Sequence, residues 1–286
     1  MLLRLENLKK VSIFAEINRC TMKYSVITIN FNNCEGLRKT IKSVVAQTCK
    51  NFEYIVIDGG STDCSVSVIK EYSERINYWV SEPDSGIYNA MNKGVAQAHG
   101  DYCIFMNSGD SFFNSKVLES FSNYNMQEDL VIGNLVSSRD GSILFAPPQR
   151  EISLYYLYSG TIPHQSSFIR TRLLRLYPYD ENLRIVSDWK FFVEAVVMHN
   201  CSVRYINDYL ALFDMEGIST TNPERMWKEK EQVFSSMFPS RVLEDYKAMK
   251  ASECLTQTMC PHLRQHYTID RLIFCIGKFF LKFVGG

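Results

Sequence analysis

The chain has 286 residues, 46% of them hydrophobic and 22% charged, and its 31 lysines and arginines match 31 aspartates and glutamates. That composition belongs to a folded globular chain with a sizeable core. The zero formal charge lacks the basic excess of a nucleic-acid-binding domain, so no nucleic acid is expected as a partner.

Residues 1–22 read as an N-terminal extension. Their apolar run is broken by Arg4, Glu6, Lys9 and Lys10, which is not the pattern of a signal peptide. Either the segment forms a short amphipathic helix, or translation starts at Met22, where a strand follows at once. The nine cysteines are scattered, with no CxxC and no cysteine–histidine cluster at zinc spacing. They are expected to be reduced thiols in a cytosolic protein, without disulfides.

From residue 24 the pattern is regular. "YSVITINFN" (24–32) is an apolar, β-rich run, and 34–48 then places Leu37, Ile41, Val44 and Val45 at helical spacing. "FEYIVIDGGSTD" (52–63) is a second strand that ends in glycines, and 65–74 a second helix. A short strand at 76–82, a helix at 85–100 capped by Gly100, and a fourth strand in "DYCIFMNSGD" follow. Strands alternating with helices predict a parallel sheet of βαβ units. Ligands of such sheets bind outside the carboxyl ends of the strands. Three polar tips, Asn30–Asn33, Asp58–Asp63 and Asn107–Asp110, should share that edge.

Beyond Asp110 the pattern loosens. A helix is expected near 117–124, a strand pair at 129–136 and 141–148 around the turn "SSRDG", and an aromatic helix at 153–160. "HQSSFIR" reads as a strand. "SDWKFFVEAVVMHN" reads as a helix capped by Ser187 or Asp188. Residues 201–214 read as one or two strands, and Pro223 opens a charged helical region. Leu272 to Val284 is apolar apart from Gly277, Lys278 and Lys282. It is too short to span a bilayer, which takes about 20 apolar residues. A helix there could lie in a membrane interface, with both lysines on one face, or pack on the protein's own core.

The chain lacks GxGxxG, GxxxxGK[ST] and GxSxG, so dinucleotide, P-loop and serine-hydrolase chemistry have no support. Asp58 could accept from a base or ribose, or stabilise its own turn. Asp63 reads as the cap of the next helix. "CIFMNSGD" ends in a glycine-containing turn with a single carboxylate, either a metal ligand or a plain turn aspartate.

"SVITINFNN", "AQTCKNFEYIVIDGGSTD", "SEPDSGIYNAMNKGVAQAHGDYCIFMNSGD" and "SDWKFF", in that order, resemble the family 2, GT-A-fold glycosyltransferases of bacterial cell-surface polysaccharide synthesis over about 24–220. The resemblance implies an α/β fold with a mostly parallel central sheet flanked by helices and a helical C-terminal extension. The implied layout is a glycosyltransferase domain at 23–220, with a nucleotide half to 110 and an acceptor half from 111, followed by a helical region at 221–286. The implied activity is inverting transfer of a sugar from a nucleotide-sugar donor, UDP being the commonest carrier, to a saccharide or lipid-linked acceptor in polysaccharide or glycan synthesis. Mg²⁺ or Mn²⁺ is the implied cofactor, and the cytoplasmic face of the membrane the implied location. Carried over by position, Asn30, Asn32, Asp58, Lys93 and Asn107 would contact the nucleotide sugar. Asp110 would hold the metal, since one carboxylate with phosphates and waters suffices. Asp188 would be the catalytic base. His164 and Trp189 would line the acceptor pocket, and Glu216 to Ser219 belong to a late loop that closes over donor phosphates. The single acid at the metal turn keeps a second reading open, a nucleotide-sugar-binding partner without catalysis.

Overall fold

β1 (Tyr24–Asn30), β2 (Phe52–Asp58), β3 (Tyr78–Ser81) and β4 (Tyr102–Phe105) form the parallel half of the sheet, in the order β3-β2-β1-β4. They read as unbroken apolar runs because helices cover both faces. On one face Tyr24, Val26, Tyr54, Val56, Tyr102 and Ile104 share a core with Leu37, Ile41 and Val44 of α1 (Cys34–Val45) and Val68 and Ile69 of α2 (Ser65–Glu71). Each fully buried aliphatic side chain there contributes about 1.5–3 kcal/mol. On the other face lies α3 (Ile87–Gln97), where Gly94 lets the helix settle onto Ile27 and Ile57. The register aligns Asn30 with Asp58, and Asp58 with Ser81, so the polar tips share one edge as expected. The structure described is a computed structural model, covering residues 24–149, 151–215 and 222–259, with side chains to 251. The N-terminal extension, Glu216–Ser219 and the segment Leu272–Val284 fall outside those residues.

The second half of the sheet is mixed. β5 (Ser111–Phe112) follows the turn after β4, and α4 (Val117–Ser122) follows β5. β6 (Leu130–Ser137) and β7 (Ile143–Phe145) form the expected hairpin, with α5 (Leu154–Ser159) next. β8 (Ser167–Arg170) lies antiparallel between β4 and β6, and α6 (Thr171–Leu176) follows it. α7 (Ser187–Phe192) passes into a π-helical turn at Val193–Met198. β9 (Val203–Phe213) is a single strand, parallel to β6 and antiparallel to β5. The result is a curled α/β sheet in the order β3-β2-β1-β4-β8-β6-β9-β5.

Three local expectations are corrected. α3 ends at Ala98, and the Gly100 N–H instead donates to Ser25 Oγ and Glu53 Oε1 below the sheet. α7 has Val186 at its cap position, with no side-chain cap. Cys34 and Cys64 form a disulfide, because the β1–β2 register brings the starts of α1 and α2 together.

The chain falls into two compact units, one up to Val233 and one from Phe234. The first extends past residue 220 because α8 (Pro223–Met237) opens within it. There Glu229 accepts from the backbone N–H groups of Arg184 and Ile185. The second unit holds α9 (Ser240–Met259), with Phe234 packed on Phe238 and Tyr246. No helix among the described residues is long and apolar enough to cross a membrane.

Candidate active site

The carboxyl ends of β1, β2 and β3 carry a dense polar knot. Asp58 is 0% exposed, and both its oxygens are occupied. Oδ1 accepts from Asn30 Nδ2 (2.7 Å) and Ser61 Oγ (2.6 Å), and Oδ2 from Ser61 N (2.9 Å) and Ser81 Oγ (2.6 Å). Burial alone would raise its pKa, but these donors hold it below the usual carboxylate range. Asp58 therefore stabilises its own turn and Asn30 donates to it, while Asn30 Oδ1 is buried with no hydrogen-bond partner. Asn32, in the left-handed region at φ 49°, accepts from Thr62 N (2.8 Å). The Asp63 carboxylate accepts from the N–H groups of both Ser65 and Cys34, so it ties the starts of α1 and α2. Beside this knot Phe31 is 63% exposed, and a Cβ on Gly59 would stand 2.5 Å from Asp84 Oδ2. Lys93 Nζ donates to Glu82 Oε1 (2.7 Å) and to the Pro83 carbonyl (3.3 Å).

The turn after β4 is held from below by Thr40 of α1. Its Oγ1 donates to the carbonyl of Asp110 (2.6 Å) or Asn107 (3.1 Å) and accepts from Gly109 N (3.0 Å). Asp110 is buried, with Oδ1 accepting from Asp214 N (2.9 Å) and a side-chain hydrogen bond from Gln165. Burial pushes its carboxyl up to about 6 despite these donors. β5 and β9 pair at Ser111–Leu212, so Asp214, two residues on and just past the end of β9, arrives beside the turn. Gly109 makes room for it. At φ 104° it occupies backbone space that favours glycine, and a Cβ would stand 2.6 Å from Asp214 Oδ2. The turn that reads as singly acidic thus has two carboxylates. Asn107 adds an amide oxygen, Oδ1, that is buried with no hydrogen-bond partner. This all-oxygen donor set suits a hard divalent cation.

Asp188, in the first turn of α7, is the third element. Its Oδ1 accepts from Tyr88 Oη (3.0 Å) and Trp189 N (2.9 Å), and its Oδ2 from His164 Nδ1 (2.8 Å). Burial raises its pKa, yet the bonds from His164, Tyr88 and Trp189 N outweigh burial and leave it below the ordinary value. The side chain keeps 17% exposure. Four in-plane acceptor sites with three donors leave one open, on Oδ2. α3 fixes the approach. Tyr88 comes from its first turn, while Asn92 binds the backbone of Tyr179 and, with Asn89, the carboxylate of Glu181. Phe105, Tyr179 and Phe191 pack edge-on behind the acid.

His164 opens a 3₁₀ turn at His164–Ser166 and spans two elements. Its Nδ1 faces Asp188, and its Nε2 lies 3.1 Å from Asn107 Nδ2. Asn107, Asp110, His164 and Asp188 therefore converge. Trp189 does not join them. It is 2% exposed, its Nε1 donates to the Leu157 carbonyl and Lys230 lies over its ring, so it is a core residue and not an acceptor platform. Thr40, Tyr88, Gln165 and Asp214 were not legible as site residues. Only Asp214 carried a signal, as an acid at the end of a strand.

A parallel half-sheet with an acidic turn at its carboxyl edge, crossed by an antiparallel half that delivers a helix-borne aspartate, defines a GT-A-fold glycosyltransferase. The chain belongs to glycosyl transferase family 2, whose sequence model matches residues 25–193. An uncharacterised glycosyltransferase of Mycobacterium tuberculosis is 34% identical over 209 residues, covering 68% of this chain and 76% of that one. A glycosyltransferase of PGL/p-HBAD biosynthesis from Mycobacterium bovis is 27% identical over 206 residues, covering 69% and 79%. Among solved structures, S. aureus TarS 1–349 in complex with UDP-GlcNAc superposes with a TM-score of 0.60 at 20% identity, covering 73% of this chain and 64% of that one. A mannosyltransferase from Pyrobaculum calidifontis in complex with GDP-Man and Mn²⁺ gives 0.56 at 15%, covering 76% and 65%.

Proposed function

We propose that the chain transfers a sugar with inversion from a nucleotide-sugar donor, a UDP-sugar in the first instance, to a saccharide or lipid-linked acceptor in polysaccharide or glycan synthesis. The observation that carries this reading is the bridge from Asp188 through His164 to Asn107, which unites an ionised, partly open carboxylate with the acidic turn. Asp188 takes the proton of the acceptor hydroxyl as that oxygen attacks the anomeric carbon. The bond to the acceptor forms as the bond to the diphosphate breaks, so a single displacement inverts the configuration. Asp110, with Asp214 and Asn107 Oδ1, would hold Mg²⁺ or Mn²⁺. Such an ion, when bound, offsets the charge growing on the diphosphate. Phe31, Asn32, Gly59 and Asp84 border the space offered to the base and ribose. The named donors of the structural neighbours, UDP-GlcNAc and GDP-Man, support a nucleotide sugar, and the PGL/p-HBAD relatives support a lipid-linked acceptor. The apolar stretch with Lys278 and Lys282 supports action at a membrane surface. Asp214 supplies the second carboxylate whose apparent absence favoured a non-catalytic partner.

The test screens UDP- and GDP-sugars with Mn²⁺ for thermal stabilisation and donor turnover, then follows Asp188→Asn. The variant should lose transfer at least 10²-fold, the low end of a general base's contribution, while binding nucleoside diphosphate like the wild type. Transfer at wild-type rates would remove Asp188 from the role of base.

A further inference from the structure

We infer that His164 is a positioning residue that sets the orientation of the Asn107 amide, so that its oxygen is turned away from the imidazole and left to a cation. The inference rests on the cation reading above. The geometry is a chain of donor–acceptor contacts. The Asp188 carboxylate can only accept, so Nδ1 of His164, 2.8 Å from Oδ2, carries the proton of that bond. Nε2 faces Asn107 Nδ2 at 3.1 Å, an amide nitrogen that can only donate, so Nε2 accepts in that contact. One end of the amide is thereby occupied. The other end, Oδ1, is buried without a protein partner. Buried polar atoms are rarely left so, and an orphaned oxygen on the turn that carries Asp110 suits a cation. The opposite amide orientation would set Oδ1 against the Nε2 lone pair and aim two N–H donors at the cation.

The ring itself is well held. It starts a 3₁₀ turn after Pro163, and Phe105 lies edge-on at 6.1 Å. Residues that orient a metal ligand from behind lower affinity 10–100-fold when removed. His164 would be such a residue, acting through Asn107, and at the same time it holds the base.

The test is a double-mutant cycle on Mn²⁺ affinity, measured by calorimetry with saturating UDP, or GDP where the donor screen selects it. His164→Ala and Asn107→Ala should each weaken Mn²⁺ binding about tenfold or more, and the double variant should be no weaker than Asn107→Ala alone. His164→Gln, whose amide oxygen can accept from Asn107 Nδ2, should recover most of the loss. If His164→Ala does not fold, His164→Leu takes its place in the cycle. A change below twofold, or losses that multiply in the double variant, overturns the inference. Two other results fall elsewhere. Full transfer by Asp188→Asn refutes the base and leaves the cycle standing, and wild-type protein that binds Mn²⁺ no better than Asp110→Ala refutes the cation reading itself.

Discussion

The Cys34–Cys64 bond can be broken without touching any group of the proposed chemistry. Cys64 is exposed, so Cys64→Ser removes the cross-link and little packing. The bond closes a loop of separation 30. Chain entropy for that closure amounts to about 3.5 kcal/mol at 25 °C. For a unit of this size each kcal/mol moves the melting temperature by about 2–4 °C, so the variant, or the wild type in dithiothreitol, should melt about 7–14 °C lower. The same bond joins the β1–α1 and β2–α2 loops, which are otherwise held by Thr62 N to Asn32 Oδ1 (2.8 Å), Asn32 N to Ser61 Oγ (2.7 Å) and Cys34 N to Asp63 Oδ2 (3.0 Å). Those loops border the space assigned to the nucleoside. Loss of the bond should therefore raise KM for the donor several-fold and leave kcat unchanged. Scanning fluorimetry with and without reductant gives the first number, and donor titration at fixed acceptor gives the second. Alkylation without reductant followed by peptide mapping should recover the two cysteines as a linked pair. A melting shift under 2 °C on reduction would refute the reasoning, whatever the kinetics show.

Three further outcomes are expected. Below about pH 6 Asp110 holds a proton that a cation must displace, so Mn²⁺ affinity should fall about fivefold between pH 6 and pH 5 and stay flat above pH 7; calorimetry across that range checks it. Tyr88→Phe deletes one of the donors that depress Asp188, so the base's pKa rises and the acid limb of the pH–rate profile should move to higher pH; a limb that stays put, or moves down, contradicts the assignment. Thr40→Val leaves the Gly109 N–H without its acceptor under the turn and should cost about 1–3 kcal/mol in urea unfolding, with Mn²⁺ affinity falling alongside.

The parallel half was legible because its strands are buried on both faces and stop at polar tips, and parallel register then aligns those tips without further information. What escaped is what the register assembles. Cys34 and Cys64 carry no spacing motif, and only the pairing of β1 with β2 makes them neighbours. Asp214 lies 104 positions from Asp110 and reaches it through the short β5–β9 pairing, which no periodicity in a two-residue strand could announce. Gly100 looked like a helix cap because glycine commonly is one, but here its N–H is needed under the sheet by Ser25 and Glu53. Trp189 sat beside a candidate base in the sequence, yet on a helix adjacent residues point about 100° apart, and the face next to Asp188 turned out to be the core.

The same logic explains why the two carboxylates nearest the chemistry differ so sharply. Asp110 and Asp188 are both largely withdrawn from water, and desolvation raises both. Asp188 receives Tyr88, His164 and Trp189 N, and its charge is stabilised. Asp110 receives the Asp214 N–H and Gln165, which do not offset its burial, so it is left poised near 6. A buried carboxylate whose donors do not offset its burial suits a site completed by a cation, whereas one whose hydrogen bonds outweigh burial stays ionised without a cation and is free to accept a proton. The division of labour between metal ligand and base therefore follows from the donors each acid meets. Asp188 draws its donors from both halves of the sheet, and Asp110, on the turn after β4, draws its two from the second half, so neither role exists until the two halves are joined across β4 and β8.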